Sequence, residues 1–120
     1  MKLVLFNQRV WQSNDRTMFR GKNCDTFKPL EPWIVTGLDP TQLQITVRHN
    51  RNLWENFSSL DQIWDTATWN EGISKCTTLH PGDVLWIGTQ GADGDMYPGD
   101  TIEVEISGIG ILRNYLVAEG

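Results

Sequence analysis

RGKNCDTFKPLEPWIVT, residues Arg20 to Thr36, places a glycine, a lysine, a carboxylate, a hydroxyl, two prolines and a tryptophan within seventeen positions. Gly21 permits close approach of the backbone, and Lys22 follows it with a compact charge on a flexible stem. Asp25 and Thr26 add a carboxylate and a hydroxyl within one turn's reach. Pro29 and Pro32 bar a continuing helix and hold the exit extended, so Trp33-Ile34-Val35-Thr36 is expected as a buried strand. The plainest reading is a rigid loop capping a β-sheet; the sharper one is a loop shaped around a ligand.

Upstream, Met1 to Phe6 is an apolar, strand-like start, and Gln8 to Phe19 (QRVWQSNDRTMF) reads as a short helix or turn followed by loop. Downstream, Gly37 to Pro40 is a turn. Leu43, Ile45 and Val47 then alternate with Gln44, Thr46 and Arg48, the period of a half-buried strand. His49 to Asn52 reads as a hairpin connection and Leu53 to Phe57 as the returning strand. Ser58 or Ser59 is a helix cap with Asp61 and Gln62 in the first turn. Leu60, Ile63, Trp64 and Ala67 stand at helical spacing, and Gly72 weakens the pattern before Lys75. Leu79 to Asp83 is a turn, Val84 to Ile87 a short buried strand, and Gly88 to Gly99 a loop rich in Gly and Asp. Thr101 to Ser107 alternates again, Gly108 to Gly110 turns, and Ile111 to Val117 returns. At least five strands and one main helix make the expected fold β-rich (α+β) and mostly antiparallel, in a single domain over 1–120.

The length of 120 residues is enough for a core, though small for an enzyme with a metal site. Apolar residues at 39% and charged residues at 21% are ordinary for a globular chain. Ten basic against fifteen acidic residues give a net charge of −5, which argues against nucleic acid or an anionic membrane surface as partner. Cys24 and Cys76 have no CxxC spacing and are expected as free thiols. The opening MKLVLF is too short an apolar run for a signal peptide, and no run reaches membrane-spanning length. A cytoplasmic location is expected.

Lys22 is the leading candidate for chemistry, because an ammonium beside a glycine can stabilise charge developing on an enolate or carboxylate oxygen. Gly88 and Thr89 end a strand and open a glycine-rich loop, where a hydroxyl and free amides can face a ligand. Glu103 and Glu105 form an E-x-E on one strand face; they read as a solvated face rather than as oxygen ligands for a divalent metal. His49 and His80 lack ligand spacing and are expected to face solvent. Trp33, Trp64 and Trp86 are expected in the core, whereas Trp11, Trp54 and Trp69 are undetermined. No nucleophile signature is present.

Three separated blocks, GKNCDTFKPLEPWIVT, LHPGDVLWIGTQG and PGDTIEVEISGIGILRN, resemble the fumarylacetoacetate hydrolase family. The resemblance runs from about Gln8 to Asn114 and matches the C-terminal part of that family's catalytic domain. It implies metal-dependent hydrolysis, decarboxylation or isomerisation of a 2-oxo or β-diketo acid through an enolate-type intermediate, with Mg²⁺ or Mn²⁺ as cofactor. It implies that Lys22 sits at metal and substrate, that Thr26 lies beside the metal, and that Thr89, with Gly88, meets the substrate carboxylate.

The family's E-x-E metal pair has no counterpart here, and the position of its later aspartate falls near Leu5, which cannot bind a hard cation. Asp15 is the only carboxylate before Lys22. Glu31 replaces the glycine usual in the family's PLGPW block. Metal binding by this chain alone is therefore not expected. Three readings stay open: an enzyme part needing an N-terminal half or partner chain, a catalytically inactive relic, and an unrelated β-module binding carbohydrate or protein. Open sheet edges would favour a dimer or other homo-oligomer.

Overall fold

The computed structural model describes residues 9–88 and 94–118. Its centre is an antiparallel sheet of β1 (Gln44–His49), β2 (Asn52–Ser58), β3 (Thr101–Ile106) and β4 (Gly110–Tyr115), in the order β2-β1-β3-β4. The alternation expected for both hairpins is realised within a residue or two. Register sets Ile45 opposite Ile106, Val47 opposite Val104, and Val104 opposite Leu112. One face therefore collects the branched residues. Ile102, Val104 and Leu112 are its buried centre, with Val47, Trp54 and Met96 among the side chains packed on them. Between Val47 and Arg48 the β1–β2 register shifts, leaving Trp54 as the extra residue of a bulge. A bulge re-aims a side chain, and Trp54 packs against the core.

The β1–β2 connection is a two-residue turn with Asn50 and Arg51 both at positive φ, 50° and 69°. That geometry matches the twist of the paired strands. Asn50 also latches the turn to the approach of β3. Its Nδ2 donates to Asp100 Oδ1 at 2.7 Å, and its Oδ1 accepts from the Thr101 amide at 2.9 Å. His49 Nε2 lies 2.8 Å from Asp100 Oδ2, and the imidazole stacks on Trp54 at 4.8 Å. The expectation of a solvent-facing His49 is thus corrected: a carboxylate and an indole hold it half-buried. Gly94 lies so close to the same indole that a Cβ there would stand 2.5 Å from Trp54 Cζ2.

The helices are α1 (Arg9–Asn14), α2 (Phe19–Lys22) and α3 (Thr66–Ser74). The expected helix through Leu60, Ile63 and Trp64 is replaced by a single 3-10 turn, Ser59–Asp61, followed by a break. Two caps compete there. Ser58 and Asp61 form a capping box around the first turn, and Asp65 starts α3 afresh by accepting from the Thr68 amide at 2.7 Å. Ile63, between the two, is 93% exposed. Two expected strands are also absent: Trp33–Thr36 and Val84–Ile87 pair with no strand among the described residues. Trp33 and Trp64 are exposed rather than in the core, and Trp86 is half-buried.

The turn and its latch have measurable consequences. Arg51→Gly, which supplies the Asn-Gly pair this turn favours, should stabilise the fold by about 1 kcal/mol. The readout is a higher urea midpoint at unchanged slope; an unchanged midpoint would refute the turn assignment. Asp100 is held down to about 2, first by the Asn50 side chain, then by the Tyr97 amide and by His49. A carboxyl lowered on folding stabilises the fold above its unfolded value, about 4, and loses that contribution as pH falls through its folded value. Thermal unfolding should therefore steepen in its pH dependence between about pH 4 and 2, and Asp100→Asn should flatten that limb.

Candidate functional site

Asp15 organises the approach to the lysine loop. Its carboxylate accepts from the Thr17 amide at 3.0 Å, the Thr17 hydroxyl at 2.5 Å and the Arg20 amide at 2.7 Å. The Thr17 hydroxyl first, and then the Arg20 amide, keep it below the usual carboxylate range. This bridges α1 to α2 through a Met18 backbone at φ 55°. The Arg20 guanidinium lies 4.3 Å from the Trp11 ring centroid, a cation–π contact between the two helices. An open concavity of about 680 Å³ has Trp11, Asp15, Phe19 and Arg20 in its wall.

Lys22 is not part of that wall. It ends α2 directly after the buried Gly21. Lys22 is half-buried, and its ammonium has neither a hydrogen bond nor an ion pair among the described residues. Asn23 closes the helix, its amide and its Nδ2 both donating to Phe19 O at 2.9 Å. A turn follows, with the Phe27 amide donating to Cys24 O at 3.2 Å. Thr26 occupies that turn at φ 68°. A β-branched residue in the left-handed region is strained, and such strain concentrates at functional sites.

Lys28 carries the loop onward. It hydrogen-bonds Asn23 Oδ1, and its ammonium lies 5.4 Å from the Trp86 ring centroid. Trp86 stands two residues before Gly88, whose φ is 94°. The lysine loop and the segment leading to Gly88 are therefore neighbours, although 58 residues separate Lys28 from Trp86 in sequence. Thr89 and Leu5 lie outside the described residues. Glu31, at the family's glycine position, is buried.

Sequence reasoning missed Lys28 and Trp86 as the bridge, since a lysine–aromatic contact of this range leaves no local signal. The Asp15 turn was legible in principle: Asp followed two residues later by Thr is an Asx-turn pattern.

The reading of Glu103 and Glu105 as a solvated face is corrected at Glu103, which is buried; Glu105 keeps a side chain 41% exposed and is ion-paired. Arg113 Nε and Nη2 lie 2.6 and 2.5 Å from Glu103 Oε1, and Arg48 Nη1 lies 2.7 Å from Glu105 Oε2. Glu103 is buried, because β1 and β4 flank it with arginines. Among the described residues no three His, Cys, Asp or Glu side chains group to hold a metal ion. Asp15 and the E-x-E pair are already committed to internal partners. The described residues thus do not fit a resident Mg²⁺ or Mn²⁺. Cys24 and Cys76 are free thiols. No helix among the described residues is long and apolar enough to cross a membrane.

Comparison with known proteins agrees with the blocks read from sequence. The family model described as fumarylacetoacetate (FAA) hydrolase C-terminal matches residues 4–117. An uncharacterised protein of Methanocaldococcus jannaschii is 39% identical over 111 residues, covering 92% of this chain and 47% of that protein. The crystal structure of 5-carboxymethyl-2-hydroxymuconate delta-isomerase from Mycobacterium smegmatis superposes with a TM-score of 0.91 at 36% identity, covering 95% of this chain and 45% of that one. Maleylpyruvate hydrolase from Sphingobium sp. SYK-6, crystallised with manganese(II) and pyruvate, superposes at 0.77 with 31% identity over 83% of this chain and 39% of that one. The chain spans about half the length of the curated relative it matches first. It belongs to the fumarylacetoacetate hydrolase family and corresponds to the C-terminal part of that family's catalytic domain.

Proposed function

We propose that this chain supplies the lysine-bearing part of a site that processes a 2-oxo or β-diketo acid through an enolate-type intermediate. The observation that carries this reading is Lys22, a half-buried residue beside a buried glycine, whose ammonium has no hydrogen bond or ion pair among the described residues. A charge in that state is available to an anionic ligand, and a partly desolvated site strengthens the interaction. Hydrolysis, decarboxylation and isomerisation of such acids share one demand, stabilisation of negative charge on the oxygen of the former carbonyl. Lys22 meets that demand. Gly88 and Thr89 receive the substrate carboxylate, and the Lys28–Trp86 contact keeps the described segment leading to Gly88 beside the lysine loop. Thr26 holds the turn after Lys22 in the left-handed region, at φ 68°.

The cation implied by the family finds no ligand set in the described residues, so its ligands lie outside them. Catalysis then requires the rest of the family's domain, and the isolated 120-residue chain should bind Mg²⁺ more weakly than micromolar by calorimetry. Combined with the N-terminal portion of a full-length relative, the chain should gain turnover on a panel of 2-oxo acids. Lys22→Ala should lower that turnover by about 10²–10³-fold, the usual cost of removing one oxyanion donor. Equal activity of the variant and the parent would reject the role of Lys22. Micromolar Mg²⁺ binding by the chain alone would reject the external ligand set.

A further inference from the structure

We infer that the concavity formed by α1, α2 and the link between them binds a small organic oxyanion that carries a planar ring, an aryl carboxylate or an aryl phosphate. Lys22 is not in its wall, so this site goes beyond the reading of Lys22 above. Arg16 and Arg20 line the concavity beside Trp11 and Phe19. Neither guanidinium has a hydrogen bond or an ion pair among the described residues. The arginines of the sheet behave otherwise, since Arg48 and Arg113 each pair with a glutamate. The carboxylate in the wall, Asp15, commits Oδ1 to the Thr17 amide and hydroxyl and Oδ2 to the Arg20 amide. It thereby fixes the link and leaves both guanidiniums unpaired.

The chemistry of the wall selects the ligand. The Arg20 guanidinium lies over the Trp11 ring, and an indole face takes none of its N–H donors. Those donors and the ones of Arg16 suit carboxylate or phosphate oxygens, which a guanidinium can grip with two parallel bonds. Phe19 is 69% exposed and offers a flat apolar ring to an aromatic group. Charge points the same way. Residues 9–28 hold five of the ten basic residues and two of the fifteen acidic ones, a positive segment in a chain of net charge −5. A small anion can meet this segment alone, whereas a nucleic acid or an anionic membrane would also meet the negative remainder. The volume, about 680 Å³, suits a small molecule.

The test is titration of the 120-residue chain with phenyl phosphate and with benzoate, followed by NMR through the Trp11 indole and Arg16 Nε resonances. Saturable binding of at least one of them, with a Kd of about 1 mM or tighter, is expected. Inorganic phosphate, which lacks the ring, and benzyl alcohol, which lacks the charge, should bind roughly tenfold more weakly. The tighter of the two aryl anions names the ligand's oxyanion. Arg16→Gln and Arg20→Gln should each weaken binding about tenfold, whereas Lys75→Gln, at an exposed lysine after α3, should leave it unchanged. Arg16 makes no hydrogen bond or ion pair among the described residues, so its replacement tests the ligand rather than the fold. No saturable shift with either aryl anion, equal binding of inorganic phosphate or benzyl alcohol, or full affinity in Arg16→Gln would each overturn the inference. A loss in Lys22→Ala as large as that in Arg16→Gln would place the anion at Lys22, rejecting this site and leaving the enolate reading standing.

Discussion

The pairing of β1 with β3 is the contact on which the remaining structure depends. It is clamped at both ends by side chains as well as by ladder bonds. At one end the Asn50 amide donates to Thr101 O and the Asn50 Oδ1 accepts from Thr101 N, both at 2.9 Å. At the other the Ser107 amide donates to Gln44 O, and Ser107 Oγ accepts from Gln44 N, again at 2.9 Å. Everything between Asn50 and Thr101, including β2, α3 and the segment that ends at Gly88, is an excursion closed by that pairing. Closing so long an excursion costs chain entropy. The apolar seam of Val47, Val104 and Leu112 offsets that cost in a domain with few fully buried side chains.

The lysine loop is held in a different way. It is fastened locally by Asp15 and Asn23 and across the chain by Lys28 over Trp86. None of these contacts uses Lys22. A loop fastened at these points by its own side chains can present one charged side chain without collapsing around it.

Strands and turns were legible wherever a segment finds its partner within the chain. The Leu43–Val47 alternation, the Asn50 turn and the Thr101–Val117 hairpin all lie in the sheet, where period-two patterning and local turn chemistry determine the outcome. Legibility fails at Trp33–Thr36 and Val84–Ile87. Their composition is that of strands, but strand state depends on a neighbour, and the described residues offer them none. The Leu60–Trp64 stripe misled for another reason: apolar spacing was outweighed by Ser58, Asp61 and Asp65 capping the backbone twice within eight positions. In the site, three blocks of sequence gave the family and Lys22, whereas Lys28 over Trp86 and the committed state of Glu103 and Glu105 arise only from the fold.

The arginine–glutamate ladder across β1, β3 and β4 has a consequence for how this sheet resists error. Sliding β3 by one position would turn Glu103 and Glu105 onto the side now filled by Val47 and Leu112, and would strand Arg48 and Arg113 opposite isoleucine and valine. Such a misaligned form would bury charge in hydrocarbon, at a cost far above what an exposed ion pair returns. In a sheet whose outer strands β2 and β4 both lack a further neighbour among the described residues, the ladder therefore serves as a proofreading device. It penalises a one-residue slip of β3 against either of its neighbours.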